Sequence, residues 1–381
     1  MMRSRRSAAV LFLTTLALAS CRRDAPYRIG VAVDEDGIRG ADLAAAQVNA
    51  AGGINGHMLE LRSERRTSST SAQIALASAE RLASDPSILA VVGHTNSSAS
   101  LAASQVYNSR HIVQIAPTST APLYTKAGPY SFRLVASDVH QGVFLANVVK
   151  ALSPHPKMAI VFVNDDYGRA LRKVFVEQLH LAGVTPMYEA PYAEGDDMTD
   201  LREIVASLTS SRPDLLVWIG RAREFSLIAA EIHRALPTLR VLASDGFSGI
   251  TTSRDSARVL DGIRCVSLLD FERPDSALRN FRIEYEAKAG IGEVTDASVL
   301  SHDAVILLAE ALRAVGPNRT AIRDWLAQVG RERPAFAGLS GRVAFNADGD
   351  REPQYYLRVI GARRPGGVRT VATTWAAWGR Y

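Results

Sequence analysis

Residues 88–100 read "ILAVVGHTNSSAS". An apolar run, Ile88–Val92, stops at Gly93, and polar side chains follow at once: His94, Thr95, Asn96, Ser97, Ser98 and Ser100. A helix-like stretch, Leu101–Ser109, comes next. A short unbroken apolar run is how a strand of a parallel sheet reads when both its faces are covered. Strand, turn and helix in that order make half of a βαβ unit.

The same alternation extends in both directions. Ahead of it lie strand "YRIGVAV" (27–33), a helix closed by Gly52–Gly53, strand "MLELRSE" and helix "TSAQIALASAERLAS". Behind it come strand "HIVQIA", a loop, and a helix over His140–Leu152. A second set then begins with "MAIVFVN" (158–164). It continues with helix Gly168–Ala182, strand Val184–Tyr188, helix Met198–Ser211, strand "LLVWIG", helix Glu224–Leu236 and strand "RVLAS". Two blocks separated by a break near residues 120–140 predict two α/β lobes, each on a doubly wound parallel sheet. The last third returns to helices, Ala277–Lys288 and Val299–Val315, then offers "GRVAFNADGDREPQYYLRVI". There "NADGD" sits between alternating runs and reads as a hairpin turn.

The start of the chain belongs to targeting. Arg3, Arg5 and Arg6 precede an apolar run Ala8–Ala19 and the tetrapeptide "LASC". This is the pattern of a secretory signal, too short to span a membrane. "LASC" is similar to the lipobox of bacterial lipoproteins, which makes residues 1–20 the signal, Cys21 the lipidated first residue, and 21–26 a tether. Removing three arginines lowers the net charge from +5 to +2. No basic cluster with interleaved aromatics occurs, which makes nucleic acid a poor partner, and none is expected. Cys265, in the apolar stretch Gly262–Leu269, reads as a buried, inert thiol.

Ligands of open parallel sheets bind beyond the carboxyl ends of the strands. Two hydroxyl-rich loops lie there: "HTNSSAS" after one strand and "PTSTAP" (117–122) after the next. A helix N-terminus presents free N–H groups and partial positive charge, so it holds an anion without a cation. A phosphate site usually adds a lysine or arginine, so a singly charged carboxylate fits these loops better. Ser97 or Ser98 as a plain helix cap is the competing reading.

Five segments carry a resemblance: "AAAQVNAAGGINGHMLEL", "VVGHTNSSAS", "IAPTSTAPLYT", "YSFRLVASDVHQG" and "VNDDYGRAL", in that order and spacing. The chain resembles the branched-chain (leucine/isoleucine/valine) amino-acid binding proteins, type I periplasmic solute-binding proteins of ABC transporters. The resemblance implies a Venus-flytrap of two lobes joined by a multi-crossing hinge. Lobe 1 would take 27–142 and 271–338; lobe 2 would take 143–270 and 339–381. It further implies that Thr95, Ser97, Ser119 and Thr120 hold a ligand carboxylate. Asp245 would take the ligand ammonium, and Tyr167 would close over it from lobe 2. Arg221 stands where the family often has an aromatic residue. Facing the cleft it favours an acidic or polar ligand side chain; facing solvent it decides nothing. The loop "DEDGIRG" is short for the family, so Asp34 and Asp36 either face the cleft or are solvated.

Catalytic constellations are missing. The eight histidines form no HExxH, "DGFSG" is not GxSxG, and "GIRG" is too sparse for a dinucleotide fingerprint. His94, in the expected cleft, either bonds a ligand or its own loop. The expectation is therefore no enzyme, no metal and no cofactor. What remains is a monomeric, extracytoplasmic, lipid-anchored receptor that delivers an amino acid or small carboxylate to an ABC permease in the inner membrane. The alternative on the same fold is a sensing or regulatory lipoprotein not coupled to transport.

Overall fold

The structure, a computed structural model, describes residues 25–64, 71–153, 155–247, 260–289, 294–360 and 368–371. The expected signal peptide and Cys21 lie outside them. The first sheet holds β1 (Tyr27–Ala32), β2 (Leu59–Ser63), β3 (Ile88–Gly93), β4 (Val113–Ala116) and β5 (Ser131–Arg133). All pair in parallel, in the order β2-β1-β3-β4-β5. The opening stretch is the middle strand, and every residue of β3 is buried. Helices α1 (Glu35–Ala50), α2 (Ala72–Ser84), α3 (Ser97–Ser109) and the short α4 (Leu123–Lys126) connect these strands.

Helix α5 (Asp138–Leu152) leads into the second sheet. Strands β6 (Met158–Val163), β7 (Tyr188–Tyr192), β8 (Leu215–Ile219), β9 (Arg240–Ala243) and β10 (Arg264–Ser267) run parallel in the order β7-β6-β8-β9-β10. Helices α6 (Asp166–Leu181), α7 (Arg202–Ser211) and α8 (Ala222–Ala235) join them. Each sheet is thus wound in two directions from its first strand, which confirms the doubly wound α/β expectation.

The chain then returns to the first lobe through α9 (Ser276–Ala289), α10 (Asp296–Val315) and α11 (Arg319–Ala327). Helix α10 lies against α1 at backbone distance: a Cβ added at Gly40 would stand 2.0 Å from the Ser298 carbonyl oxygen. Glycine is what permits that approach.

Two sequence expectations need correction. Strand β7 begins at Tyr188 rather than occupying Val184–Tyr188. Gly183 turns the chain at φ 72° after α6, and Pro186 has no N–H to give a ladder, so pairing starts only opposite Ala159. The expected hairpin does not form either. Strand β12 (Gly341–Val343) pairs back with β11 (Phe336–Gly338), and "NADGD" closes on a single antiparallel bridge, Phe345 with Arg351. The run after it, β13 (Tyr356–Ile360), joins the second sheet antiparallel to β10, with β14 (Val368–Val371) beyond it.

The turn therefore serves as a strap. Asp350 receives the Nε–H of Arg133 at 2.5 Å and the Thr125 hydroxyl at 2.8 Å. Arg351 donates to the carbonyls of Leu134 (2.9 Å) and Ser340 (2.8 Å). Arg133 is fully buried at the end of β5, so the strap fixes the place where the chain leaves the first sheet. Cys265 is buried as expected, and burial pushes its thiol up to about 12.

Candidate functional site

In a sheet of order 2-1-3-4-5 the connections leave the first and third strands in opposite directions, and the gap between them at the carboxyl end is a ready-made crevice. Both lobes use it. In the first, Asp34 follows β1 while Thr95 and Asn96 follow β3. In the second, Asp165 follows β6 and Arg221 follows β8. The two crevices face one another across a cavity of about 240 Å³. Lobe 1 lines it with Asp34, Asp36, Thr95, Asn96, Thr118 and the start of α10, Thr295–Ala297. Lobe 2 supplies Arg221, Asp245, Gly246 and Leu268.

Helix starts dominate this lining. Asp34 caps α1 by accepting the Gly37 amide at 2.8 Å. Thr295 and Ser298 form a reciprocal capping box on α10. Asn96 is the N-cap of α3 but makes no side-chain cap bond. The Asn96 side chain thus takes none of the first-turn amides of α3, groups of the kind that suit a carboxylate.

The structure distributes the expected carboxylate ligands over two layers. Thr95 lines the cavity, and its hydroxyl accepts the Asp34 amide at 2.9 Å. Ser97 stands behind it, its hydroxyl accepting the Ala121 amide at 3.2 Å, so it ties the two hydroxyl loops together. Ser119 is bonded to Ser100 Oγ at 2.7 Å and donates to the His94 carbonyl at 3.1 Å. Thr120 is buried beside Asp138 and is not part of the lining. Thr118 and Asn96, from the same loops, reach the cavity instead. His94 is not in the lining: it is fully buried against Tyr107, and burial lowers its imidazole to about 4.

On the lobe 2 side, Asp245 lines the cavity with only 7% of its surface exposed. Tyr167 lies behind it, its phenol bonded to Asp245 Oδ1 and to Ser244 Oγ and accepting the Gly246 amide at 3.2 Å. Arg221 lines the cavity with its guanidinium over the Tyr167 ring, 5.0 Å from the centroid. Its Nη2 donates to Asp165 Oδ2 at 3.2 Å, and Glu194 stands 3.8 Å from its Nε. Burial works against the guanidinium charge, but Asp165 and Glu194 outweigh it and hold Arg221 above its ordinary value.

A second carboxylate, Asp138 at the start of α5, sits behind Asp245. Gln141 joins them, donating its amide to Asp138 Oδ1 at 3.0 Å and accepting the Asp245 backbone amide at 3.1 Å. Burial first, and then the Asp245 charge, raise Asp138 well above the usual carboxylate range. Asp245 is also raised by burial, with Tyr167 and Gln141 pulling the other way.

Sequence reasoning did not find Asn96, Thr118 or Thr295–Ala297 as lining residues. The first two lie inside the hydroxyl-rich loops after β3 and β4. The third group had only a capping signal, "TDAS", far along the chain, and nothing local tells that α10 returns to the first lobe.

A crevice shared by two doubly wound lobes is the geometry of a two-lobed binding protein. The chain belongs to the periplasmic binding protein family, whose match spans residues 28–363. It is 29% identical over 297 residues to an amino acid binding protein of Pseudomonas aeruginosa, covering 76% of each chain. It is 26% identical over 317 residues to Leu/Ile/Val-binding protein homolog 1 of Brucella melitensis, covering 82% of this chain and 81% of that one. In fold it matches the branched-chain amino acid transporter substrate-binding protein LivJ of Streptococcus pneumoniae, solved with isoleucine. The TM-score is 0.79 at 22% identity, over 91% of this chain and 99% of that one. The resemblance read from the sequence motifs is thereby borne out.

Proposed function

We propose that this protein is the extracytoplasmic solute-binding lipoprotein of an ABC importer, taking an α-amino acid or a related small carboxylate between its lobes. The observation that carries this reading is the arrangement across the cavity: the Thr95 and Thr118 hydroxyls beside the start of α3 on one wall, the buried carboxylate of Asp245 on the other. The carboxylate of the ligand meets Thr95, Thr118 and the start of α3, with Ser97, Ser119 and Thr120 shaping those loops from behind. Its ammonium meets Asp245, which Tyr167 orients; an ammonium leaving water needs such a paired charge. Lobe 1 comprises 27–142 and 271–338, and lobe 2 comprises 143–270 and 339–381, with the strap Asn346–Arg351 reaching back onto lobe 1. Ligand binds the first lobe, the hinge closes, and the closed form is recognised by a permease. Lipid on Cys21 keeps the receptor at the membrane. The names of the relatives support an amino acid as cargo.

The test is calorimetric titration of protein refolded from denaturant to strip bound ligand. Binding of one or more α-amino acids, weakened at least tenfold in Asp245→Asn, supports the reading. Binding confined to molecules without an α-ammonium overturns the role of Asp245. Mass spectrometry of the membrane-extracted protein tests the anchor: a diacylglyceryl mass on Cys21, absent in Cys21→Ser, is expected.

A further inference from the structure

The cavity lining is unbalanced in charge. Four carboxylates line it, Asp34, Asp36, Asp245 and Asp296, against one guanidinium, Arg221. That guanidinium is not available to a ligand carboxylate without competition, because Asp165 and Glu194 already flank it at 3.2 and 3.8 Å. Asp36 is answered from outside the cavity by Arg39 at 3.0 Å. The carboxylates of Asp34 and Asp245 are held by neutral donors, the Gly37 amide in one case and the Tyr167 phenol in the other.

An α-amino acid with an apolar side chain brings one ammonium and one carboxylate, no net charge. If Asp245 takes the ammonium, the lobe 1 wall of Asp34, Asp36 and Asp296 faces the rest of the ligand. Of the lining residues only Leu268, Ala297 and Gly246 offer an apolar or featureless surface. A leucine or valine side chain would meet acid on that wall. It would take water from the acidic wall without returning a hydrogen bond, and desolvating charge against an apolar group is expensive. A side chain ending in an ammonium or guanidinium replaces that water with charge-assisted bonds, which are the strong ones.

We infer that the cargo is a basic α-amino acid, its side-chain cation held on the lobe 1 wall by Asp34 and Asp296 while Asp245 holds the α-ammonium. This rests on the amino-acid reading of the site above. It also revises the part given to Arg221: the arginine organises Asp165, Glu194 and the Tyr167 ring rather than selecting an acidic ligand.

The measurement is calorimetry on the ligand-stripped full chain with arginine, lysine, citrulline, leucine and glutamate. Citrulline has nearly the shape of arginine without its charge, so the pair isolates the cation. Arginine or lysine binding at least tenfold tighter than citrulline and leucine is expected, with the preference reduced at least fivefold in Asp34→Asn and in Asp296→Asn. Asparagine keeps the N-cap acceptor at position 34, and circular dichroism checks that both variants fold. Leucine or citrulline binding as tightly as arginine overturns this inference while leaving the amino-acid reading intact. Failure of every α-amino acid, with agmatine or putrescine bound instead, overturns the amino-acid reading itself.

Discussion

The hydroxyl of Ser98, in the first turn of α3, accepts the backbone amide of Asp166, at the start of α6, at 3.2 Å. The two residues belong to helices of different lobes, and the bond spans the mouth between them. In the proposed hinge motion it can form only when the lobes are together, so it would contribute to the closed state alone. A single such bond is worth about 0.5–1.5 kcal/mol. Ser98→Ala is therefore expected to weaken ligand binding about two- to tenfold and to shift the ligand-free protein toward open forms in small-angle scattering. Thermal stability without ligand should hardly move.

Tyr167 and Asp245 form the second relationship on which the proposed binding mode rests. Removing the phenol leaves the carboxylate with one donor fewer in a buried place, and bonds to charged groups are worth about 1.5–3 kcal/mol. Tyr167→Phe should lower affinity about ten- to a hundredfold in calorimetry while keeping the ring under Arg221. An unchanged dissociation constant would remove Tyr167 from the binding machinery.

The Asp138–Asp245 pair sets one pH dependence. A carboxyl raised in the folded state keeps its proton while the unfolded chain, at its ordinary value of about 3.9, has lost its own. Stability from this group is thus largest below that value and declines as pH rises toward the folded value. Asp138→Asn removes this group's share of the decline, so the variant should be more stable than the parent at pH 8. The gain should vanish near pH 4. Urea titrations at pH 4, 6 and 8 give the comparison.

His94 acts in the opposite sense. Its imidazole titrates at about 4 when folded, against an ordinary value of 6.5. Its contribution is fully present above pH 6.5 and is lost as pH falls toward 4, by about 3 kcal/mol in total. His94→Gln should lose some stability at pH 7 through poorer packing against Tyr107. Between pH 6.5 and 4.5 its stability should fall less steeply than the parent's, measured in the same titrations.

Gly40 offers a test of the fold itself. A methyl group there would collide with backbone rather than with a movable side chain. Gly40→Ala should cost about 1–3 kcal/mol as α1 and α10 are pushed apart. Since α10 carries Thr295–Ala297 to the cavity, ligand affinity should drop as well; a melting temperature within a degree of the parent would contradict the close approach.

What the sequence determined by itself is local or periodic. The apolar runs at Ile88–Val92, Ala159–Val163 and Leu215–Ile219 are strands because a doubly covered strand must be apolar throughout, and their alternation with helices dictates two parallel sheets. The polar loops after β3 and β4 were legible as a candidate site because strand ends of such sheets are where chain direction leaves a crevice. The burial of Cys265 followed from its neighbours in the chain.

Tertiary structure alone decided which hydroxyls face the cavity. Thr95 and Thr118 do, while Ser97 and Ser119 brace loops, because a loop's side-chain directions depend on the bonds it makes with other loops. It decided that "NADGD" straps Arg133 instead of closing a hairpin, since the sheet edge that receives β13 lies in the other lobe. And it gathered Asp34, Asp245 and Asp296, far apart along the chain, around one cavity, where their summed charge becomes a statement about the ligand. Charge density is a property of a surface in space, and no spacing along the chain records it.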